Sequence, residues 1–262
     1  MSVVHRFAYA TLVATDSYAV GAEVLRASLL ATKSPYTLVI LHTPTVSESV
    51  VENLRRLENV QVVPVAWLYP RPDQATSYAF DRFKDVWTKL RVFELTVYDT
   101  VAFLDSDMLV TQNMDELFTL ISDAPDTLVA SLACTCNPMK IPHYPTPSNC
   151  SPKLVDMATF NRLVSRFQDE PDLSRFVFAD QCFLNENFPN FHVASYKYNA
   201  VKTLRSAHPA TWNMEEVKNV HFILTKPWDV DPTDPGQGEV PFLDLYKIWW
   251  ATRDSNAPAL ST

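Results

Sequence analysis

HRFAYATLVATDSYAVGAEVLRASLLATKSPYTLVILH, from His5 to His42, decides the fold. Its first part, His5–Ala14, is rich in Phe, Tyr, Leu and Val and reads as a strand. Thr15, Asp16 and Ser17 follow, each a residue type that caps helices, and Tyr18 to about Thr32 places Val20, Val24 and Leu25 on one helical face. Tyr36–His42 is a second strand. Ser47–Leu57 repeats the helical spacing with Val50, Val51, Leu54 and Leu57, and Val60–Val65 is a third strand. Two strand–helix units in succession predict a parallel, doubly wound α/β sheet flanked by helices. Ligands of such sheets bind beyond the carboxyl ends of the strands, which is where Thr15, Asp16 and Tyr18 fall.

The same end of the sheet receives Thr100–Val110, TVAFLDSDMLV, an apolar run that leads into two aspartates one residue apart. Side chains alternate along a strand, so Asp105 and Asp107 are expected to point the same way where the strand opens into a loop. Convergent carboxylates favour magnesium or manganese, and an added nitrogen ligand tilts the choice to manganese. A cation held in this way suits a diphosphate undergoing group transfer.

Composition narrows the partners. The chain has 262 residues, 47% of them hydrophobic, enough for one large domain over residues 1–262. A net charge of −8 argues against nucleic acid, and no apolar run approaches a membrane span. A cytoplasmic protein is the expectation. Cys134, Cys136, Cys150 and Cys182 have neither zinc spacing nor a disulfide framework and read as reduced thiols. Only three glycines occur, Gly21, Gly236 and Gly238, so both glycine-rich phosphate loops are absent. A nucleotide here is gripped by metal and side chains.

Further along, Phe83–Tyr98 has Val86, Leu90, Phe93 and Val97 at helical spacing, with Lys89 just off the stripe. Short helices are expected over Asn113–Leu120, Met157–Phe167 and Asp180–Phe188, and strands over Leu128–Ala133, Phe191–Tyr198 and Val217–Leu224. Asn137–Ser151, with four prolines, is irregular. Glu239–Arg253 forms a last helix whose Trp249 and Trp250 are core, with a homodimer face as the alternative. NVHFILTKPW, Asn219–Trp228, sets His221 in a strand and Lys226 in the loop after it. Two aspartates and one imidazole make a manganese shell of Asp105, Asp107 and His221, and Lys226 offers a positive charge to a leaving diphosphate.

Taken together these segments resemble the retaining sugar-nucleotide glycosyltransferases that include glycogenin and galactinol synthase, a GT-A family. LVATDSYAVG, Leu12–Gly21, is similar to the segment that holds the uridine, which implies nucleotide contacts at Leu12, Thr15 and Tyr18. TKLRVFEL, Thr88–Leu95, resembles the helix whose lysine, here Lys89, reaches the donor, and its wording is nearest to the galactinol synthase version. FLDSDMLV carries the DxD, adding Ser106 to the nucleotide contacts. FADQCFLNENF, Phe178–Phe188, resembles the acid–glutamine motif beside the donor sugar, and HFILTKPW the histidine-to-KPW motif. The resemblance implies an α/β, Rossmann-like GT-A fold with a mostly parallel mixed sheet flanked by helices, in which residues 1–110 form the nucleotide-binding half and 111–262 the donor-sugar and acceptor half. It also implies a manganese-dependent transferase, with magnesium as second choice, that moves a hexose from a UDP-sugar to a hydroxyl acceptor with retention. Asp180 then lies at the anomeric centre, as nucleophile or as electrostatic stabiliser, and Lys89 and Gln181 position sugar hydroxyls.

One departure stands out. The family carries a strand with an asparagine–small–glycine triplet between the DxD strand and the acid–glutamine helix, and no such triplet exists here. The chain is expected to lack this pocket strand near 150–157, which leaves nucleotide binding intact and impairs turnover. A catalytically impaired UDP-sugar binder is therefore the alternative reading, and a DxD phosphatase a remote one. Ala200–Trp212 contains no tyrosine, unlike the self-glucosylating members, so the acceptor is expected to be a small polyol or a glycan.

Overall fold

The computed structural model describes residues 6–79, 81–120, 128–133, 153–154 and 160–255. The opening third follows the predicted alternation: β1 (Phe7–Val13), α1 (Ala19–Ala31), β2 (Thr37–His42), α2 (Glu48–Arg55) and β3 (Val60–Pro64). After β4 (Thr100–Phe103), the chain makes β5 (Met108–Val110), β6 (Val129–Ala133), β7 (Lys153–Leu154), α3 (Phe160–Asp169), α4 (Asp180–Asn187), β8 (His192–Ala194), β9 (Ala200–Val201), α5 (Lys202–Ala207), β10 (Asn219–His221) and α6 (Leu243–Ser255).

The largest sheet has the order β3-β2-β1-β4 with every pair parallel. The chain winds outward from β1 to β3 and returns to lay β4 on the other side of β1. Such a reversal leaves a crevice at the carboxyl ends of β1 and β4. Both faces of the sheet are covered, which is why its strands are apolar throughout rather than alternating. Tyr9, Val13, Leu38 and Ile40 pack with Leu25 and Leu29 of α1 and Val51 and Leu54 of α2. Ala8, Ala10, Val39 and Leu41 pack on the other side with Val65 and Val92. Among the described residues two three-stranded sheets complete the mixed architecture, β5-β10-β9 and β7-β6-β8. No helix of the described residues is long and apolar enough to cross a membrane.

Several elements differ from the expectation. Thr15, Asp16 and Ser17 do not cap α1, whose N-cap is Tyr18 with no side-chain cap bond. Instead Thr15 pairs with Ser17, and the Asp16 carboxylate accepts the Ser47 amide at 2.8 Å, joining the segments after β1 and β2. Phe83–Tyr98 is not an α-helix but two 3₁₀ stretches, Asp81–Lys84 and Val86–Glu94. Its packed residues are Trp87, Leu90 and Phe93, a spacing of three, which a 3₁₀ helix stacks in one row. Val97, expected on the buried stripe, is exposed. Residues 113–120 also give a single 3₁₀ stretch, Asp115–Thr119. In α6 Ile248 faces out, whereas Leu245, Tyr246, Trp249 and Trp250 are buried core. Of the stretch 150–157, where a strand is expected to be missing, residues 153–154 form β7, antiparallel to β6, and the rest lies outside the described residues, as do Cys134, Cys136 and Cys150; Cys182 is half-buried in α4.

Candidate active site

The aspartate pair sits between two sheets rather than at the end of one strand. β4 stops at Phe103, the Leu104 amide still bonds to Ala10, and the Met108 amide donates to the Asp105 carbonyl at 3.1 Å. This turn, not strand alternation, makes the two carboxylates converge. The chain then enters β5, which pairs antiparallel with β10 so that Met108 lies opposite His221, and the Phe222 amide donates to the Asp107 carbonyl at 2.9 Å. A strand 111 positions later in the sequence thus delivers the imidazole to the carboxylates. His221 Nε2 lies 3.3 Å from Asp107 Oδ1 and 3.7 Å from Asp105 Oδ2. One ligand atom from each of the three residues falls within 4.8 Å of the others. Two carboxylate oxygens and an imidazole nitrogen at this mutual distance fit one divalent cation.

Asn199, just before β9, faces the other ring nitrogen, with Oδ1 2.9 Å from His221 Nδ1. If a cation were bound, Nδ1–H donating to this oxygen would leave the Nε2 lone pair to it, the orientation that metal-binding histidines require. No motif marks Asn199 in the sequence; the parallel step of β9 beside β10, with His221 opposite Val201, brings it to the imidazole.

Two lysines flank the acids. Lys89 Nζ is 2.6 Å from Asp105 Oδ1, and Lys226 Nζ donates to Asp107 Oδ2 and, at 3.2 Å, to the Phe222 carbonyl. Burial works against the charge on Lys89, yet Asp105 and Asp180 outweigh it and hold the ammonium above its ordinary range. Burial likewise disfavours ionised Asp107, and His221 and Lys226 more than offset it, keeping that carboxyl well below the usual range. Asp180 opens α4, buried, after Ala179, a non-glycine residue at φ 46°. Burial lifts the Asp180 carboxyl to about 6; Lys89 opposes the shift and Asp105 adds to it. Asp180 therefore shares the field of this cluster. Gln181 follows, half-buried, in the first turn of α4.

The segment Leu12–Gly21 also reaches the cluster. Gly21 in α1 comes so close to the turn that a Cβ built on it would stand 2.3 Å from the Ser106 carbonyl and 2.8 Å from the Trp228 ring. Tyr18 meets Trp228 edge-on at 5.2 Å, and Trp228 in turn packs on Trp249 at 5.8 Å. The structure so brings together Tyr18, Lys89, Asp105, Ser106, Asp107, His221 and Lys226, with Asp180 in electrostatic reach. Thr15 is exposed, and Leu12 joins the apolar cluster on the Val65 and Val92 face of the sheet. Gly21 had a legible signal, since one of three glycines falls inside a helix, where the residue is unfavourable without a packing reason. A cavity of about 130 Å³ opens from Asp105 between β4 and β6, past Met108, Ala130, Ser131, Tyr198 and Asn199.

Among known proteins, the chain is 30% identical over 278 residues to galactinol synthase 7 of Arabidopsis thaliana, a match covering 93% of this chain and 80% of that protein. It is 29% identical over 262 residues to galactinol synthase 1 of Solanum lycopersicum, with the same two coverages of 93% and 80%. Among solved structures, the galactosyltransferase LgtC in complex with donor and acceptor sugar analogs superposes at a TM-score of 0.61 and 17% identity, over 97% of each chain. The glycosyltransferase GlyE of Streptococcus pneumoniae TIGR4 superposes at 0.60 and 15% identity, over 95% of this chain and 61% of the other. These likenesses show the fold to be that of GT-A glycosyltransferases. No family model matches the chain.

Proposed function

Because this chain belongs to the galactinol synthase family, we propose that it is a manganese-dependent retaining transferase that moves a hexose from a UDP-sugar to a hydroxyl acceptor, a small polyol or a glycan. The observation that carries the proposal is the meeting of Asp105, Asp107 and His221 with Lys226 at the carboxyl ends of β1 and β4. Manganese, when bound, supplies a Lewis-acid charge to the diphosphate. Asp105, Asp107 and His221 would hold it, and Asn199 keeps the imidazole turned toward it. Lys226 moves its positive charge from Asp107 to the departing diphosphate, where charge develops as the sugar bond breaks. Lys89 and Gln181 hold the sugar hydroxyls. Asp180, ionised, faces the anomeric carbon and stabilises positive charge there or forms a bond to it. Tyr18, Leu12, Thr15 and Ser106 line the nucleotide side, and Gly21 lets α1 approach.

Release of UDP from UDP-glucose and UDP-galactose in manganese, with and without myo-inositol, tests this reading. Release that needs an acceptor and vanishes in Asp107→Ala supports it and identifies the donor. UDP binding that Asp107→Ala abolishes, with no release from either donor, would favour the impaired binder that the missing triplet implies. Hydrolysis of a generic phosphomonoester in magnesium, lost in Asp105→Asn, would restore the phosphatase reading. Intact mass after incubation with donor checks the acceptor: added hexose units would make the protein its own substrate.

A further inference from the structure

Lys202 is buried, at 1% exposure, and the proposed chemistry makes no use of it. Taking an ammonium out of water costs several kcal/mol, roughly, unless all its donors are met. Here they are: Lys202 Nζ donates to the Thr225 carbonyl at 2.9 Å, to Glu239 Oε2 at 2.8 Å and to Tyr246 Oη. Tyr246 Oη also bonds Glu239 Oε2 at 2.5 Å, and the Tyr246 ring stacks on Phe222 at 5.6 Å. A leucine or methionine would fill the space without the cost of desolvation, so the charge has some other use.

The carbonyls it and its neighbours grip bracket one residue. Thr225 immediately precedes Lys226, and on the other side Trp250 Nε1 donates to the Pro227 carbonyl at 2.8 Å. Both flanks of Lys226 are thus tied to α6, one through the ammonium at the start of α5. The loop between needs tying, because Leu224 sits at φ 66°, a strained value for a branched side chain.

We propose that Lys202 is a positioning residue: its buried ammonium, braced by Glu239 and Tyr246, clamps the Thr225 carbonyl and so aims Lys226 at the diphosphate. This rests on the reading of Lys226 given above. The test uses Lys202→Met and, should the lone Glu239 prevent folding, Lys202→Met/Glu239→Gln, which removes both charges. Hydrogen–deuterium exchange of residues 222–229 is expected to quicken about tenfold while that of β2 stays unchanged. Affinity for UDP in manganese is expected to fall about tenfold, with little further loss when Lys202→Met is added to Lys226→Met. Unchanged exchange in the loop, or losses that add in the double variant, would overturn the proposal, since a filler role moves only the melting temperature. If the parent protein binds no UDP, the transferase reading fails while the exchange measurement still decides the clamp.

Discussion

Gly21 sets a helix preference against a contact, and the contact is the larger effect. Alanine is favoured over glycine inside a helix by about 0.5–1 kcal/mol. A methyl at this position meets a backbone oxygen at 2.3 Å in a turn that two sheets pin, and overpacking of that kind costs about 1–3 kcal/mol. Gly21→Ala is therefore expected to lower stability to urea and to weaken manganese binding; a variant as stable as the parent would mean that the Ser106 turn yields. Asp180 makes a second residue-scale prediction. Its pKa is raised to about 6 by burial, so its contribution to stability is complete below the ordinary aspartate range and is lost as pH rises through about 6. In metal-free protein near about pH 8 the ionised carboxylate costs stability on the order of 1–3 kcal/mol. Asp180→Asn is expected to unfold at higher denaturant than the parent there, to lose this advantage toward about pH 4, and to release no UDP. Equal stability at both values would show that Asp180 is ionised at little cost.

At the scale of elements, Glu239 carries a pH dependence of the opposite sign. Burial raises its carboxyl, but the bonds from Lys202 and Tyr246 outweigh this and hold it below the ordinary glutamate value. The stability it gives is present above that ordinary value and lost as pH falls through the lower folded one. Glu239→Gln is expected to cost about 1.5–3 kcal/mol at neutral pH, with the gap to the parent closing in acid. Melting curves across pH check it, and a constant gap would sink it. What sequence could show at this scale followed from how each element is buried. β1, α1, β2, α2 and β3 were legible because a strand covered on both faces is apolar throughout and its helices keep a one-sided stripe. The division of Thr100–Val110 into β4 and β5 was not legible, since the partner that starts β5 is β10, far along the chain. The period of three at Trp87, Leu90 and Phe93 hid among apolar neighbours that also fit a period near 3.6. The residue types of the site were legible, and the turn that makes them converge was not. Asn199 shows why: its role depends on two parallel strands of two and three residues, too short to leave a periodic pattern.

For the whole molecule, the three proposed metal ligands belong to different sheets. Asp105 follows β4 of the parallel sheet, while Asp107 and His221 border the β5–β10 pair. A cation on all three would tie one sheet to the other, so binding and global stability are coupled. At a hundredfold excess over its dissociation constant manganese is expected to stabilise the fold by about 2.7 kcal/mol. A rise in melting temperature that a chelator reverses, and that His221→Ala lacks, is the expected result; an equal rise in the variant would place the ion elsewhere. Galactinol synthase relatives align across 93% of this chain, so the comparison extends over both sheets and not only over the DxD segment. The row of rings from Tyr18 through Trp228 to Trp249 gives this molecule a property of another kind. Indole emission responds to nearby charge and to paramagnetic ions, and this row starts beside the proposed nucleotide segment and ends on the buried side of α6. Filling of the cleft is therefore expected to change the native fluorescence, an optical probe that needs no label.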